Sequence, residues 1–336
     1  MRIQLSHTFA NIISLDNLLQ AWAEFINGKR NKPDVQAFER NLIDSLLSLH
    51  EDLASKRYRH GPYKAFSISD SKPRNIHKAS VRDRVLHHAI YRILYPFFDS
   101  VFIYDSYSCR LNKGSHKALA RFKSVAQKAS HNYTKTCWVL KCDIRKFFAS
   151  IDQSILQGIL QTYIPDQDIL WLLKEIITSF QSTKPGKGLP LGNLTSQLLV
   201  NIYMHEFDQY AKHFLKAKYY IRYADDFVFL SEDRKLLEDQ IPKIEDILVQ
   251  LLQLSLHPGK VYIRSLASGV DFLGWVHFSN YRRLRSATTT RMMRRIQENP
   301  KLPTLNSYLG LLQHGSAHNL EEIVLSEYEM RTNEYV

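Results

Sequence analysis

The sequence predicts an α+β protein whose strands lie in the middle of the chain and whose ends are helical. Apolar residues recur at helical spacing near the N-terminus and in the basic C-terminal part, whereas the centre alternates short β-branched and aromatic runs with helical stretches. With 336 residues, of which 44% are hydrophobic, the chain can bury a large core and divide into two or three lobes.

The N-terminal part is predicted to form two amphipathic helices, then short strands, then one long helix. Residues 14–56 show helical periodicity, which is broken near Asn31-Lys32-Pro33. Residues 58–80 have the pattern of short strands with turns at Gly61-Pro62 and Ser71-Lys72-Pro73. The following segment, VRDRVLHHAIYRILYPFFDSVF, is again helical in its periodicity.

The remaining elements alternate between strand and helix patterns. We expect a strand at 137–144, helices over 152–180 and 195–217, a hairpin at 218–230, a helix at 236–254 and strands within 259–279. After Tyr281 the chain is basic and mostly helical, with expected breaks at Pro300 and Pro303.

Charge and composition narrow the possible partners and compartments. Forty-five Lys and Arg against 33 Asp and Glu give a formal charge of +12, which favours nucleic acid, or less strongly an anionic membrane surface. No stretch has the pattern of a transmembrane helix or a signal peptide, so a cytoplasmic protein without a membrane partner is expected. The three cysteines form no Cys-x-x-Cys pair, which indicates reduced thiols rather than disulfides or a zinc site.

Two adjacent aspartates interrupt the apolar stretch YYIRYADDFVFL, Tyr219–Leu230. A tight turn is one explanation, because Asp tolerates turn geometry. A bound cation is the other, since at a hairpin tip Asp225 and Asp226 can both face one side. Asp143 ends the apolar stretch CWVLKCDI and supplies a third carboxylate. Three carboxylates on neighbouring strands could hold two Mg²⁺ ions about 4 Å apart, as in-line attack at phosphorus requires.

Several motifs, in order, resemble those of reverse transcriptases. They are LKCDIRKFFASID, GLPLGNLTSQLLVNIYMHEFD, YIRYADDFVFL, LSLHPGK and FLGW, with Tyr223-Ala224-Asp225-Asp226 as the YxDD box. The resemblance spans roughly residues 60–280 and is greatest to the bacterial group that includes group II intron enzymes. Within that group, YDSYSCRLNKGSHKAL and LGNLTSQ are similar to diversity-generating retroelement enzymes.

The resemblance implies a right-hand polymerase fold and an RNA-directed DNA polymerase. It implies an N-terminal helical extension at 1–58, fingers at 59–135, a palm at 136–280 with part of the fingers at 152–188, and a helical basic thumb at 281–336. The implied partners are a template RNA, the RNA/cDNA duplex, dNTPs and a small basic accessory protein. The implied metal site, for two Mg²⁺ ions, adds Ile144 to Asp143, Asp225 and Asp226.

One departure from the family pattern concerns nucleotide selection. Related enzymes usually carry Gln-Gly and Ser-Pro where this chain has Leu191-Gly192 and Ser196-Gln197. Both changes should loosen base discrimination, and a loss of about 1.4 kcal/mol costs a factor of about ten in fidelity. The resemblance implies errors at template adenines, although Gln197 could also be an ordinary residue at a helix start.

Other predicted dNTP contacts come from the same resemblance. Phe148 stands where the family keeps an aromatic gate against the ribose 2′-hydroxyl, although a core ring beside Phe147 is an equal alternative. Arg74 matches the arginine that grips the triphosphate, with Lys72 or Lys64 as its partner. Lys260 resembles the palm lysine near the pyrophosphate, and a solvated surface lysine is its alternative.

The predicted primer and template contacts are aromatic, glycine and arginine residues. FLGW resembles the primer grip, in which Gly274 lets backbone approach the primer. Residues 281–296 hold six arginines and no acid, a pattern suited to phosphate contacts. The residues predicted to contact the primer or template are Tyr223, Gly274, Arg282, Arg283, Arg285 and Arg294. His87-His88 is expected to be core or surface rather than metal-binding, because adjacent helical residues diverge.

Two alternative functions remain at this level. One is a different reverse transcriptase, of antiviral defence or intron mobility. The other is a non-catalytic RNA-binding protein on the same fold, against which the three carboxylates argue.

Overall fold

The computed structural model describes residues 3–69 and 73–333, and it combines helices with antiparallel sheets. The predicted mixture of helix and sheet is therefore confirmed. Two compact units share the chain. The first comprises the described residues up to Arg110, Ile144–Lys216 and Ile244–Leu256, and the second comprises Leu111–Asp143, Ala217–Lys243 and the described residues from His257 onward.

The helices and strands follow one another in an irregular order. The helices are α1 (Phe9–Ile13), α2 (Leu15–Phe25), α3 (Pro33–Arg40), α4 (Leu42–Ala54), α5 (Val81–Val101), α6 (Ser115–Ala129), α7 (Phe147–Ser150), α8 (Gln153–Tyr163), α9 (Gln167–Thr178), α10 (Leu194–His213), α11 (Arg234–Leu252), α12 (Ser286–Glu298), α13 (Leu302–Leu312) and α14 (His318–Asn333). The strands are β1 (Lys64–Ser69), β2 (Pro73–Lys78), β3 (Trp138–Asp143), β4 (Tyr220–Tyr223), β5 (Asp226–Ser231), β6 (Tyr262–Ser265), β7 (Val270–Phe272), β8 (Trp275–His277) and β9 (Arg282–Leu284).

The N-terminal helices of the first unit differ from the prediction in one respect. Three helices, α2, α3 and α4, occupy the region for which two were predicted. The additional break falls at Asn41, whose φ of −118° and ψ of 37° leave the helical range. Apolar residues continue at helical spacing across this break, so periodicity alone could not reveal it.

Helix α5 is the central helix of the first unit. It packs against α2 on one side and α10 on another, and its buried residues include Val85, Leu86, Ile90 and Leu94. The antiparallel hairpin β1–β2 lies before it in the chain. The predicted strands and long helix of this region are confirmed.

The second unit is built around a four-stranded antiparallel sheet with strand order β4-β5-β3-β6. The rings of Tyr220, Phe227 and Phe229 pack together on it, with centroid distances of 4.7–6.1 Å. Helix α6 packs against β4 and β5. This aromatic packing fixes the register of the strands that carry the aspartates.

A three-stranded sheet, β7-β8-β9, and three helices follow in the second unit. Strand β9 was not predicted, because its basic sequence has no alternating apolar pattern. Pro303 does not interrupt a helix. It lies in the first turn of α13, where a backbone N–H would have no partner within the helix, so its absence costs no hydrogen bond. Among the described residues, we find no helix with the length and hydrophobicity needed to cross a membrane.

Candidate active site

The hairpin between β4 and β5 carries two of the three aspartates. Tyr223 pairs with Asp226, which leaves Ala224 and Asp225 as a two-residue turn. Ala224 has a φ of 55°, a left-handed conformation that costs a non-glycine residue about 1–2 kcal/mol. The predicted hairpin is confirmed. The backbone strain is compatible with a functional constraint at this turn.

The third aspartate lies directly across the sheet from this hairpin. Asp143, the last residue of β3, is the register partner of Asp226, the first residue of β5. Residues opposite each other in an antiparallel pair share one face, so these carboxylates project to the same side. Like charges in this arrangement repel, and a compensating cation is needed close by.

A buried lysine supplies part of that compensation. Lys141 precedes Asp143 by two residues, so its side chain shares the same face of β3. Its Nζ lies 3.2 Å from Asp226 Oδ2 and donates a 2.8 Å hydrogen bond to the Asp271 carbonyl oxygen. The side chain is 8% exposed. Lys141 was not among the predicted site residues, although its spacing of two residues from Asp143 in a predicted strand was the available signal.

A second lysine contacts Asp143. Lys260 Nζ donates a 2.8 Å hydrogen bond to Asp143 Oδ1. The His257 N–H donates to the Asp143 carbonyl oxygen at 2.8 Å, which holds the segment before Lys260 beside the end of β3. Lys260 is therefore not simply a solvated lysine, the alternative that the sequence left open.

The electrostatic environment disfavours the ionised form of Asp226. Burial, together with the charges of Asp143 and Asp225, raises the pKa of its carboxyl group to about 6, while the Lys141 ammonium acts in the opposite direction. Oδ1 of Asp226 is buried and has no hydrogen-bond partner among the described residues. A buried oxygen of this kind is compatible with a further positively charged ligand.

The carboxylates suit magnesium in their chemistry, because Mg²⁺ prefers oxygen ligands. In this conformation, however, no set of three or more His, Cys, Asp or Glu side chains within 3–69 and 73–333 is grouped closely enough to hold a metal ion. Lys141 and Lys260 occupy one oxygen each of Asp226 and Asp143. Ile144 is buried and apolar, so only its backbone carbonyl could contribute a ligand.

Among the described residues, the predicted dNTP contacts of the first unit are Arg74, Phe148, Gly192 and Gln197. Arg74 is exposed on β2, where its register partner is Ile68. Phe148 is half-buried in α7, whereas the neighbouring Phe147 is buried and fills the core position. Lys72 lies outside the described residues, and its alternative, Lys64, is exposed on β1.

Gly192 and Gln197 lie at the start of α10. Gly192 has a φ of 110°, and a Cβ atom added there would lie 2.7 Å from Cγ2 of Ile76. Both the backbone conformation and the close contact therefore require glycine. Gln197 is half-buried as the fourth residue of the helix.

Gly274 forms the β7–β8 turn with Leu273. Their φ values are 85° and 51°, typical of a type I′ turn. A Cβ added to Gly274 would meet no atom within 4 Å, so its surface is open, as the primer-grip prediction requires.

The predicted arginines differ in their surroundings. Arg282 lies over the Trp275 ring at 5.3 Å and Arg283 over the Phe278 ring at 5.4 Å. Arg285 forms an ion pair with Asp271. Arg294 is 66% exposed and lies 3.8 Å from Glu298. The first three arginines thus contact an aromatic ring or a carboxylate of the sheet region, whereas the contact of Arg294 is with an exposed glutamate one turn along its own helix.

Comparison with known proteins agrees with these motifs. Residues 65–277 match the family described as reverse transcriptase (RNA-dependent DNA polymerase), which is well over half of the chain. Protein YkfC of Escherichia coli (strain K12) is 25% identical over 288 residues, covering 72% of this chain and 74% of YkfC.

Two intron proteins are also similar. The putative COX1/OXI3 intron 2 protein of Saccharomyces cerevisiae is 21% identical, covering 69% of this chain and 34% of that protein. The group II intron-encoded protein LtrA of Lactococcus lactis subsp. cremoris is 28% identical over 142 residues, covering 41% of this chain and 22% of LtrA. The chain therefore spans about a third or less of these intron proteins. From the family match and the aspartate-bearing hairpin together, this chain belongs to the reverse transcriptase family.

Proposed function

We propose that this reverse transcriptase extends a primer on an RNA template with Asp143, Asp225 and Asp226 as its catalytic carboxylates. The observation that carries the proposal is the register pairing of Asp143 with Asp226, with Asp225 in the adjoining turn. Like-charged side chains on directly opposite residues of adjacent strands repel each other, and a bound cation would relieve that repulsion.

The proposed metal ligands are these three carboxylates and the Ile144 carbonyl. Two Mg²⁺ ions bound there would lower the pKa of the primer 3′-hydroxyl and neutralise the triphosphate. Lys141 and Lys260 keep the charges of Asp226 and Asp143 compensated in the described conformation. Lys260 would then contact the leaving pyrophosphate, as a mobile ammonium on a flexible stem can do.

The remaining site assignments are also proposals. Arg74, with Lys72 or Lys64, would bind the triphosphate, and Phe148 would exclude ribonucleotides. The half-buried position of Phe148 beside a buried Phe147 supports this role, because one ring suffices for the core. Gly192 and Gln197 would contact the incoming nucleotide, and Tyr223, Gly274 and the arginines the primer and template.

Primer extension on RNA with dNTPs and Mg²⁺ tests the activity. We expect extension by the wild type and a loss of at least about 10³-fold in Asp226→Asn and Asp143→Asn, since the charge that binds the cation is removed. Asp239→Asn is the matched control, because Asp239 is an exposed carboxylate paired with Lys235. Wild-type inactivity, or full activity in Asp226→Asn, would contradict the proposal.

We further propose that the enzyme belongs to a diversity-generating retroelement and copies template adenines unfaithfully. LGNLTSQ, with Gln197 in place of the usual proline, supports this subtype. Sequencing the cDNA should show errors concentrated at template adenines and reduced in Gln197→Pro. An even error spectrum in an active enzyme would contradict the subtype but not the polymerase.

An intron-type or defence enzyme is the second candidate, which the similarity to two intron proteins favours. Faithful copying of adenines would support it.

We propose a cytoplasmic location, a right-hand arrangement of fingers, palm and thumb with the boundaries given above, and a basic accessory protein as partner. Co-purification of such a protein with the tagged chain tests the last of these.

A further inference from the structure

A buried chain of hydrogen bonds ends at the first turn of α10. Thr195, the second residue of this helix, is 2% exposed. Its Oγ1 lies 2.6 Å from Nδ1 of His87, which is buried in α5. Nε2 of His87 in turn lies 3.2 Å from Nε2 of His60. The sequence marked His87 only as a core or surface histidine.

The backbone determines which nitrogen carries each proton in this chain. Nδ1 of His60 lies 2.6 Å from the Gly61 carbonyl oxygen, which can only accept, so Nδ1 carries the proton. With His60 neutral, its Nε2 is an acceptor, and the His87 Nε2–H donates to it. His87 Nδ1 is then an acceptor, and the Thr195 hydroxyl must donate to it.

The neighbouring residue Tyr63 does not change the direction of the hydrogen bond from His87 to His60. The Ser179 hydroxyl donates to the Ile176 carbonyl oxygen at 2.6 Å, so its oxygen accepts from the Tyr63 hydroxyl at 2.8 Å. The Tyr63 hydroxyl proton is therefore donated to Ser179. The single lone pair of His60 Nε2 remains available to accept the hydrogen bond from His87. Burial holds the pKa of His87 at about 3, so its ring stays neutral.

The His60 end of this chain of hydrogen bonds is also held in place. The Gly61 N–H donates to Asp83 Oδ2 at 3.2 Å, and the Tyr58 hydroxyl donates to Asp83 Oδ1 at 2.7 Å. Asp83 lies in the first turn of α5, where the Ser80 side chain caps the helix. The carbonyl that orients His60 is thus fixed to the same helix that carries His87.

The segment before α10 is held separately by β2. The His77 N–H donates to the Leu191 carbonyl oxygen at 2.9 Å, and Asn193 Nδ2 donates to the His77 carbonyl oxygen at 2.9 Å. The first turn of α10 therefore has one attachment to β2 and another, through Thr195, to α5. Attachments to two different elements restrain both its position and its rotation.

Helical rotation decides where Gln197 points. Each residue turns an α-helix by about 100°, so Gln197 lies about 200° around the axis from Thr195. We propose that His87 and His60 are positioning residues for nucleotide selection, because they hold Thr195 against α5 and thereby direct Gln197 to the other side. This role rests on the proposed contact of Gln197 with the incoming nucleotide.

Single-nucleotide incorporation at about pH 8, where imidazoles are neutral, tests the proposal. Thr195→Val keeps the shape but removes the donor. We expect a rise of at least about fivefold in the KM for dNTP and in misincorporation, with kcat per active enzyme within about twofold. Thr195→Ser retains the hydroxyl and should restore wild-type values. Thr195→Val combined with His87→Leu should be no worse than the more defective single variant.

His88→Gln is the matched control, since it changes the adjacent histidine outside the chain of bonds. A Thr195→Val enzyme with wild-type KM and error frequency would overturn the role, as would a reduced active fraction with no other change. Inactivity of the wild type would instead overturn the proposed function, and this role with it.

Nuclear magnetic resonance of the full chain labelled with ¹⁵N at histidine gives a readout independent of activity. At about pH 8 we expect His87 to be protonated at Nε2 and His60 at Nδ1. Thr195→Val should shift the His87 Nδ1 resonance. A His87 protonated at Nδ1 would overturn the proposed chain of bonds.

Discussion

The ionised carboxylate of Asp226 destabilises the folded protein at neutral pH. Its pKa is about 6 in the folded protein against an ordinary value of 3.8, so the folded protein loses stability as the pH rises through this window. Without metal, the free energy of unfolding of the wild type should therefore fall by up to about 3 kcal/mol relative to that of Asp226→Asn as the pH rises from about 4 to about 7, because position 226 of the variant cannot ionise.

Urea titrations in EDTA between about pH 4 and pH 8 measure this difference. Asp239→Asn, at an exposed carboxylate, is expected to change stability by less than about 0.5 kcal/mol. A difference between wild type and Asp226→Asn that does not vary with pH would contradict the expectation.

Individual site residues were predictable where the signal was local. Asp225 and Asp226 stand out because two charges interrupt an apolar hairpin, and Asp143 because it ends an apolar strand. The partners of these carboxylates were not predictable. Lys260 reaches Asp143 from 117 residues away in the chain, and that approach depends on the folded sheet.

Among the elements, strand β3 is linked through the Lys141 side chain to Asp226 of β5 and to the Asp271 carbonyl oxygen of β7. Removing one partner of a buried ion pair leaves an uncompensated charge, which costs about 3–5 kcal/mol. We therefore expect Lys141→Met to lower the free energy of unfolding by about this amount at neutral pH. Adding Asp226→Asn should recover most of the loss, because no buried charge then remains unpaired.

Urea unfolding of the single and double variants in EDTA measures the coupling. Lys235→Met removes an exposed lysine paired with Asp239 and should cost less than about 1 kcal/mol. Equal losses in Lys141→Met and Lys235→Met, or additive losses in the double variant, would show that the buried pair is not the cause.

The elements themselves were largely predictable from periodicity and turn signals. The long helix α5, the strand β3 and the β4–β5 hairpin lie where their patterns indicated. The break at Asn41 was missed because apolar residues continue at helical spacing through it. Strand β9 was missed because its two arginines and one leucine form a strand only by pairing with β8. Tertiary pairing decides such segments.

At the scale of the whole molecule, the charge of +12 predicts salt-dependent binding to an RNA/DNA duplex. Arg294→Gln should weaken this binding and reduce the slope of log K against log salt by about 1, if Arg294 neutralises one phosphate. Fluorescence anisotropy over a range of salt concentrations measures the slope.

Arg30→Gln is a matched control for this experiment. Arg30 is 68% exposed and paired with Glu39, much as Arg294 is 66% exposed and paired with Glu298. It lies outside the basic stretch and should leave the slope unchanged. Equal slopes for Arg294→Gln and wild type would exclude Arg294 from the duplex contact.

The organisation of the whole chain was the least predictable feature. Each compact unit combines three segments that are separate in the sequence. Local periodicity reports which face of an element is buried but not which distant segment buries it. Only the ordered motifs, through their family resemblance, carried information at this scale.

The alignment of Asp143 with Asp226 has a consequence for the evolution of this gene. Because alternate residues of a strand face opposite sides, one residue gained or lost between Tyr223 and the core of β5 would turn one carboxylate away from the other. Point changes along these strands can be absorbed, whereas insertions and deletions there should be purged. Over evolution, we therefore expect the length of this short loop to be conserved more strongly than its amino-acid composition.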